Sequence, residues 1–315
     1  SRRRRTCVIG SSSFARRWRV NHDDEKFFVV KPSFLGIGAQ RCGTTRLHRI
    51  LDEHPEIVMT KWGVGGFNKE IHYFDRFVMS KTFDWYESHF PKFGISGEIT
   101  PAYATLNRRC VKAINRYLPE ARIFYVLRNP ADRIWSQIRM MLSGWLSSEI
   151  TNMKLESLIR LFDSPAVQLR SNYLQTLNIW TNIFGANQFL ALSFDQLIDS
   201  DGLPKLLDFL QVSPNWGPTH DASAKILSSP NLKMPQELRW LCAAQFLPMV
   251  EQLVNIFPPS LPWLTEMMID RDSTPSAFLH NVHQIRLQQQ LDCHRKWLTS
   301  FQRQESLAFA LEEKT

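Results

Sequence analysis

The chain has only five cysteines in 315 residues, an odd number with no Cys-x-x-Cys pair. That excludes a disulfide scaffold and a cysteine-rich zinc site, although a single disulfide remains compatible. Thirteen glycines and seventeen prolines are too few for a collagen-like or low-complexity chain. No apolar run approaches the ~18 residues of a membrane-spanning helix. The opening residue is Ser1, not Met, which suits a piece of a longer chain with a leader or anchor upstream. Acidic residues are missing from the first nineteen positions, where seven arginines stand (Arg2–Arg5, Arg16, Arg17 and Arg19). This tail accounts for most of the formal net charge of +8, so the remainder is nearly neutral. A charged tail alone does not make a nucleic-acid partner, and none is assigned. Membrane contact is expected only through this tail or an upstream anchor. With 43% apolar residues the rest can bury a core.

Short apolar runs alternate with helical patterns. Strands are expected over 34–38, 56–60, 122–127 and 189–194, and another ends at Thr100. Helices are expected over 44–53, from Pro130, over 168–184 and over 235–257. Strands apolar on both faces and separated by helices predict a parallel sheet flanked by helices, a three-layer α/β/α fold. The expected divisions are a basic tail (1–30), one α/β domain (31–265) and a C-terminal helical extension (266–315). In the extension Leu287, Leu291, His294, Leu298, Phe301, Glu305 and Ala308 keep a 4,3 spacing, with two of the seven polar. Such a stripe suits an amphipathic helix packed on its own domain better than a coiled-coil seam.

The first strand runs into Gly38-Ala39-Gln40-Arg41-Cys42-Gly43-Thr44-Thr45 and then a helix. Free backbone N–H groups, the positive helix end and the glycines make such a loop an anion site. The spacing matches a Walker A loop except that Thr44 holds the lysine position, which argues against ATP or GTP hydrolysis. A second candidate lies in Leu127-Arg128-Asn129-Pro130-Ala131-Asp132-Arg133-Ile134-Trp135-Ser136. Arg128 would sit at the carboxyl end of a strand, where open α/β sheets bind ligands, and an arginine fork with a hydroxyl suits a phosphate. Arg133 is expected to pair with a carboxylate.

Together these segments resemble the sulfotransferase family, whose enzymes use 3′-phosphoadenosine 5′-phosphosulfate (PAPS). GAQRCGTT resembles the family's 5′-phosphosulfate loop. LRNPADRIWS resembles its 3′-phosphate motif, with Arg128 eight residues before Ser136. Lys69-Glu70-Ile71-His72-Tyr73-Phe74-Asp75 resembles a segment of the heparan-sulfate and bacterial branch. Glu98-Ile99-Thr100-Pro101-Ala102-Tyr103 and Arg170-Ser171-Asn172-Tyr173 are similar to two further segments, so the resemblance spans residues 34 to about 265. It implies a P-loop-containing parallel sheet, PAPS as sulfuryl donor, adenosine 3′,5′-bisphosphate as product, and no metal. His72 and Asp75 alone would not make a metal site. Gln40, Arg41, Cys42, Gly43, Thr44 and Thr45 would hold the 5′-phosphosulfate, and Arg128 with Ser136 the 3′-phosphate. Glu70 would be the general base, with His72 as the alternative and Arg41 as the loop cation. Glu70, His72, Asp75, Tyr103 and Tyr173 would face the acceptor, although both tyrosines could equally be packing residues. The acceptor would be a glycan or a small molecule. A glycan-modifying fragment would belong in the Golgi lumen, and an enzyme of small molecules in the cytoplasm.

Three departures bear on that reading. The loop cation is Arg41 where the family has lysine, and arginine is planar and does not act as an acid. Ile99 stands where heparan-modifying enzymes carry another lysine. Residues 219–233 offer only Lys225 and Lys233 as a nucleotide-covering basic loop. A non-catalytic nucleotide- or glycan-binding protein on the same scaffold is the alternative, and a P-loop kinase a more distant one.

Overall fold

The computed structural model describes residues 31–61, 69–91, 94–142, 147–198, 201–217, 232–256 and 263–291. The basic tail, most of 219–233 and the extension beyond 291 lie outside the described residues. Five short strands form one parallel sheet: β1 (Phe34–Gly36), β2 (Ile57–Met59), β3 (Ile95–Ile99), β4 (Arg122–Leu127) and β5 (Phe189–Ser193), in the order β2-β3-β1-β4-β5. Helices cover both faces, as the two-sided apolar strands require. β4 is buried from Ile123 to Leu127, and its register places Phe34 of β1 opposite Arg122.

The chain leaves β1 toward one edge of the sheet and later returns to place β4 on the other side of β1. Such reversals open a crevice at the strands' carboxyl ends. Helix α1 (Thr44–Glu53) buries Leu47, Ile50 and Leu51, the face its periodicity predicts. Helix α4 (Pro130–Met141) starts with proline in its first turn and an asparagine cap, Asn129 Oδ1 accepting from Ala131 N at 3.0 Å.

The helix expected over 168–184 is two helices, α7 (Pro165–Ser171) and α8 (Tyr173–Phe184). Asn172 breaks it. Its Oδ1 accepts from Gln175 N at 3.2 Å, a cap that starts a new helix, and its Nδ2 donates to Gln175 Oε1 at 2.9 Å. Arg133 departs from expectation as well. It is fully buried, and its Nη2 donates to the Val167 carbonyl (3.0 Å) and to Ser171 Oγ (2.7 Å). No carboxylate meets it among the described residues, so this cation tethers α4 to α7 through neutral acceptors.

Residue 266, where the C-terminal extension was expected to begin, falls inside helix α12 (Trp263–Asp272). Glu266 accepts from Asn129 Nδ2 at 2.7 Å, and Trp263 Nε1 donates to Asp195 Oδ2 at 2.6 Å. The helix over 276–291 packs through Val282 and Ile285 and through a bidentate pair from Arg286 to Asp163 at 2.7 and 2.8 Å. Leu287 and Leu291 of the predicted stripe are exposed. No helix among the described residues is long and apolar enough to cross a membrane.

Gly97 in β3 faces Phe34, and a Cβ there would lie 2.5 Å from both the Phe34 ring and its backbone carbonyl. The carbonyl cannot move without breaking the β1–β3 pairing. Gly97→Ala is therefore expected to cost about 2 kcal/mol or more in denaturant unfolding. Gly217→Ala, with nothing within 4 Å of the added atom, should be close to neutral. Equal stabilities would contradict the β1–β3 register.

Candidate active site

The loop after β1 remains attached to β4. Ile37 N–H donates to Phe124 O (3.0 Å), Ala39 N–H to Val126 O (2.8 Å) and Val126 N–H to Gly38 O (2.7 Å). The loop then turns, with Arg41 and Gly43 in the left-handed region (φ 73° and 75°), and α1 begins at Thr44 without a side-chain cap. A Cβ on Gly43 would meet the Phe194 ring at 2.5 Å, so glycine is needed for space as well as for φ.

Arg128, at the carboxyl end of β4, donates from Nη1 to the Arg41 carbonyl at 3.3 Å, and its guanidinium lies over the Phe194 ring at 5.0 Å. Arg41 reaches the other way. Its Nε donates to Ser136 Oγ at 3.0 Å and its Nη1 lies 3.6 Å from Met140 Sδ. The two candidate anion sites thus share one junction, with the loop arginine turned toward α4. Arg139, one helical turn beyond Ser136, adds a third cation. Burial, then the like charges of Arg139 and Arg128, pull the Arg41 guanidinium below its ordinary value. Arg128 meets Asp132 at 3.8 Å, too far for a close ion pair. Arginines crowded at an uncapped helix start are the donor set a polyanion would relieve, so these residues fit a doubly anionic nucleotide.

The other expected loop residues divide. Thr44 is buried and Thr45 half-buried at the start of α1. Cys42 turns inward. Its N–H donates to Ala39 O at 3.2 Å, its side chain is fully buried, and burial pushes its thiol up to about 11. Gln40 has a buried Oε1 with no partner among the described residues.

Next to the start of α1 lies the segment after β2. Lys69 is buried, and its Nζ lies 2.6 Å from Glu70 Oε1 and 3.5 Å from Thr44 Oγ1. Glu70 Oε2 lies 3.1 Å from His72 Nε2, and His72 Nδ1 lies 2.9 and 3.0 Å from the Asp75 oxygens. His72 sits at φ 56°, and the π-turn Tyr73–Phe77 that follows brings Asp75 back onto it. Burial disfavours the imidazolium, but the bonds to Asp75 and Glu70 outweigh it and raise His72 to about 9. Burial likewise opposes the Glu70 carboxylate, yet the His72 bond and the Lys69 charge hold its pKa below the ordinary carboxylate value. At neutral pH His72 is therefore an imidazolium and Glu70 a carboxylate.

A second carboxylate holds this segment in place. Glu98, fully buried at the end of β3, accepts from Ile71 N (3.0 Å), Tyr86 OH (2.8 Å), Tyr103 OH (2.9 Å) and the Thr100 hydroxyl. Burial raises its pKa despite those four donors. Tyr103 OH also accepts from Tyr73 N at 2.9 Å. Tyr173 OH donates to Arg128 O at 2.9 Å. Both tyrosines are fully buried, which supports the packing reading over an open acceptor wall. Sequence reasoning did not single out Arg139, although its i+3 spacing from Ser136 puts both on one helix face. It also gave Lys69 no role of its own. Among the described residues no group of three or more His, Cys, Asp or Glu could hold a metal ion.

The raised His72 pKa sets a stability window. The folded form binds the proton more tightly than the unfolded chain, so the gain is complete below the free value of 6.5 and is lost as pH rises through about 9. The difference in thermal midpoint between the wild type and His72→Gln should be greatest at the acid end of that window and shrink toward its alkaline end. A difference that does not change with pH would contradict the charged row.

A family model described as "Sulfotransferase family" matches residues 68–216. The bifunctional heparan sulfate N-deacetylase/N-sulfotransferase 1 of Caenorhabditis elegans is 27% identical over 173 residues, covering 53% of this chain and 20% of that protein. Mouse heparan sulfate glucosamine 3-O-sulfotransferase 5 is 27% identical over 186 residues, covering 56% of this chain and 51% of that protein. The alignments thus span a fifth to a half of these relatives' own length. The crystal structure of a sulfotransferase from Alicyclobacillus acidocaldarius aligns with a TM-score of 0.56 at 25% identity, covering 75% of this chain and 99% of that one. This chain contains a domain of the sulfotransferase family.

Proposed function

We propose that this chain transfers the sulfuryl group of PAPS to a hydroxyl or amine of a carbohydrate or small-molecule acceptor. The observation that carries the reading is the junction of the glycine loop with Arg128 and Ser136. A nucleotide with phosphates at both 3′ and 5′ positions needs two anion sites on one cleft, and ATP does not need the second. The loop N–H groups with Thr44 and Thr45 would hold the 5′-phosphosulfate, and Arg128, Ser136 and Arg41 the 3′-phosphate. PAPS supplies an activated sulfuryl group on a phosphate leaving group.

The remaining roles fall to the row beginning at Lys69. An imidazolium has no lone pair to accept a proton, so at neutral pH His72 is a donor and the base role passes to Glu70. His72, held by Asp75, fixes one Glu70 oxygen, and Lys69 fixes the other. As the acceptor oxygen or nitrogen bonds to sulfur, its proton passes to Glu70. The S–O bond to phosphate breaks, and its electron pair stays on the phosphate. Preorganised cations and N–H groups stabilise that developing charge. The relatives' names support a glycan acceptor and span both amine and hydroxyl sulfation.

Adenosine 3′,5′-bisphosphate is expected to raise the thermal midpoint while ADP and ATP do little, and Arg128→Ala should remove the difference. Glu70→Gln should keep the nucleotide shift and lower turnover of labelled PAPS on a panel of acceptors by about 10²–10⁴-fold. Equal shifts for ATP would favour a kinase-like reading. Full turnover by Glu70→Gln would remove Glu70 as the base.

A further inference from the structure

In this chain a cation that reaches the hydroxyl of the first helical residue, Thr44, comes from outside the glycine loop. Arg41 is drawn away by its bonds to Ser136 Oγ and Met140 Sδ. The Walker lysine position is Thr44, and Ile99, beside Glu98, is fully buried and apolar. Lys69 approaches from a different element, the segment after β2, and brings its ammonium to 3.5 Å from Thr44 Oγ1. The same ammonium lies 2.6 Å from the Glu70 carboxylate. It therefore stands between the anion loop and the proposed base, with 5% of its side chain exposed.

We propose that Lys69 is the cation that meets the leaving 5′-phosphate, replacing a loop lysine from outside the loop. This inference rests on the sulfotransfer reading above. The chemistry requires such a group. When the S–O bond breaks, its electron pair stays on the phosphate oxygen, and the 5′-phosphate gains charge. A buried ammonium already placed at the start of α1 stabilises that charge without reorganising. Burial, the first influence on Lys69, and the nearby Arg41 charge lower its pKa, while Glu70 opposes the shift; an arriving anion favours the charged form. Arg41 then serves the 3′-phosphate side, which accounts for arginine in the loop: its fork reaches Ser136 and Met140 across the junction.

This differs from a merely structural Lys69–Glu70 pair in one measurable respect. The product carries more charge on its 5′-phosphate than the donor does, because the bridging oxygen has become a terminal one. A cation that acts on that oxygen discriminates product from donor, and one that only positions Glu70 does not.

The test is calorimetric titration of PAPS and of adenosine 3′,5′-bisphosphate into the wild type, Glu70→Gln and Lys69→Met/Glu70→Gln. The double variant removes both charges, so no carboxylate is left unpaired beside position 69 to unfold the site. Relative to Glu70→Gln, it should lose about 10- to 100-fold in affinity for the bisphosphate and clearly less for PAPS. Equal losses, or none, would overturn the role of Lys69 and leave the donor reading intact. A wild type that binds the bisphosphate no better than ADP would overturn the donor reading and this inference with it.

Discussion

Backbone pairing between the residues after β1 and strand β4 is the constraint on which the site depends. Bonds from Ile37 and Ala39 to the carbonyls of Phe124 and Val126 carry the ladder past the end of β1 and into the glycine loop. The loop cannot drift from Arg128, because both are anchored to the same strand. Three arginines can then crowd one helix start, and the anion that relieves them is positioned before it arrives. Phe194 closes the arrangement from β5's side, filling the space that only a glycine at 43 leaves open and carrying Arg128 on its ring face.

The proton-handling side is held by a different device. Glu98 has no cationic partner among the described residues. Two tyrosine hydroxyls, a threonine hydroxyl and one backbone N–H satisfy it inside the core. That cluster fixes Ile71, whose neighbours Glu70 and His72 join the row that Lys69 links to Thr44. The two carboxylates do different work. Glu98 is held by four hydrogen bonds and anchors the chain, while Glu70 is kept ionised by cations on both sides. Removing a donor from a cluster of this kind leaves a buried acceptor unmet, which is costly.

Much of this was legible in the sequence because it depends on local chemistry. β4 was readable from its continuous apolar run, α1 from its spacing, and the α4 start from Pro130. The two anion segments could be paired only through a family resemblance, since nothing in 41–136 says locally that Arg41 reaches Ser136. The break at Asn172 was missed because 168–184 keeps a helical period on both sides of the cap. Lys69 was undervalued for a similar reason. Adjacent opposite charges read as a solvated pair, and burial comes from the whole sheet. Tyr103 and Tyr173 also look identical in sequence whether they line a cleft or fill a core, and only their burial separates the two readings.

A crystal structure of the chain with adenosine 3′,5′-bisphosphate tests the central claim most directly. The account predicts the 5′-phosphate at the N–H groups of Thr44 and Thr45 and the 3′-phosphate between Arg128 and Ser136, with Arg41 on the 3′ side. A nucleotide seated elsewhere, or bound with Arg128 turned away from the glycine loop, would contradict it.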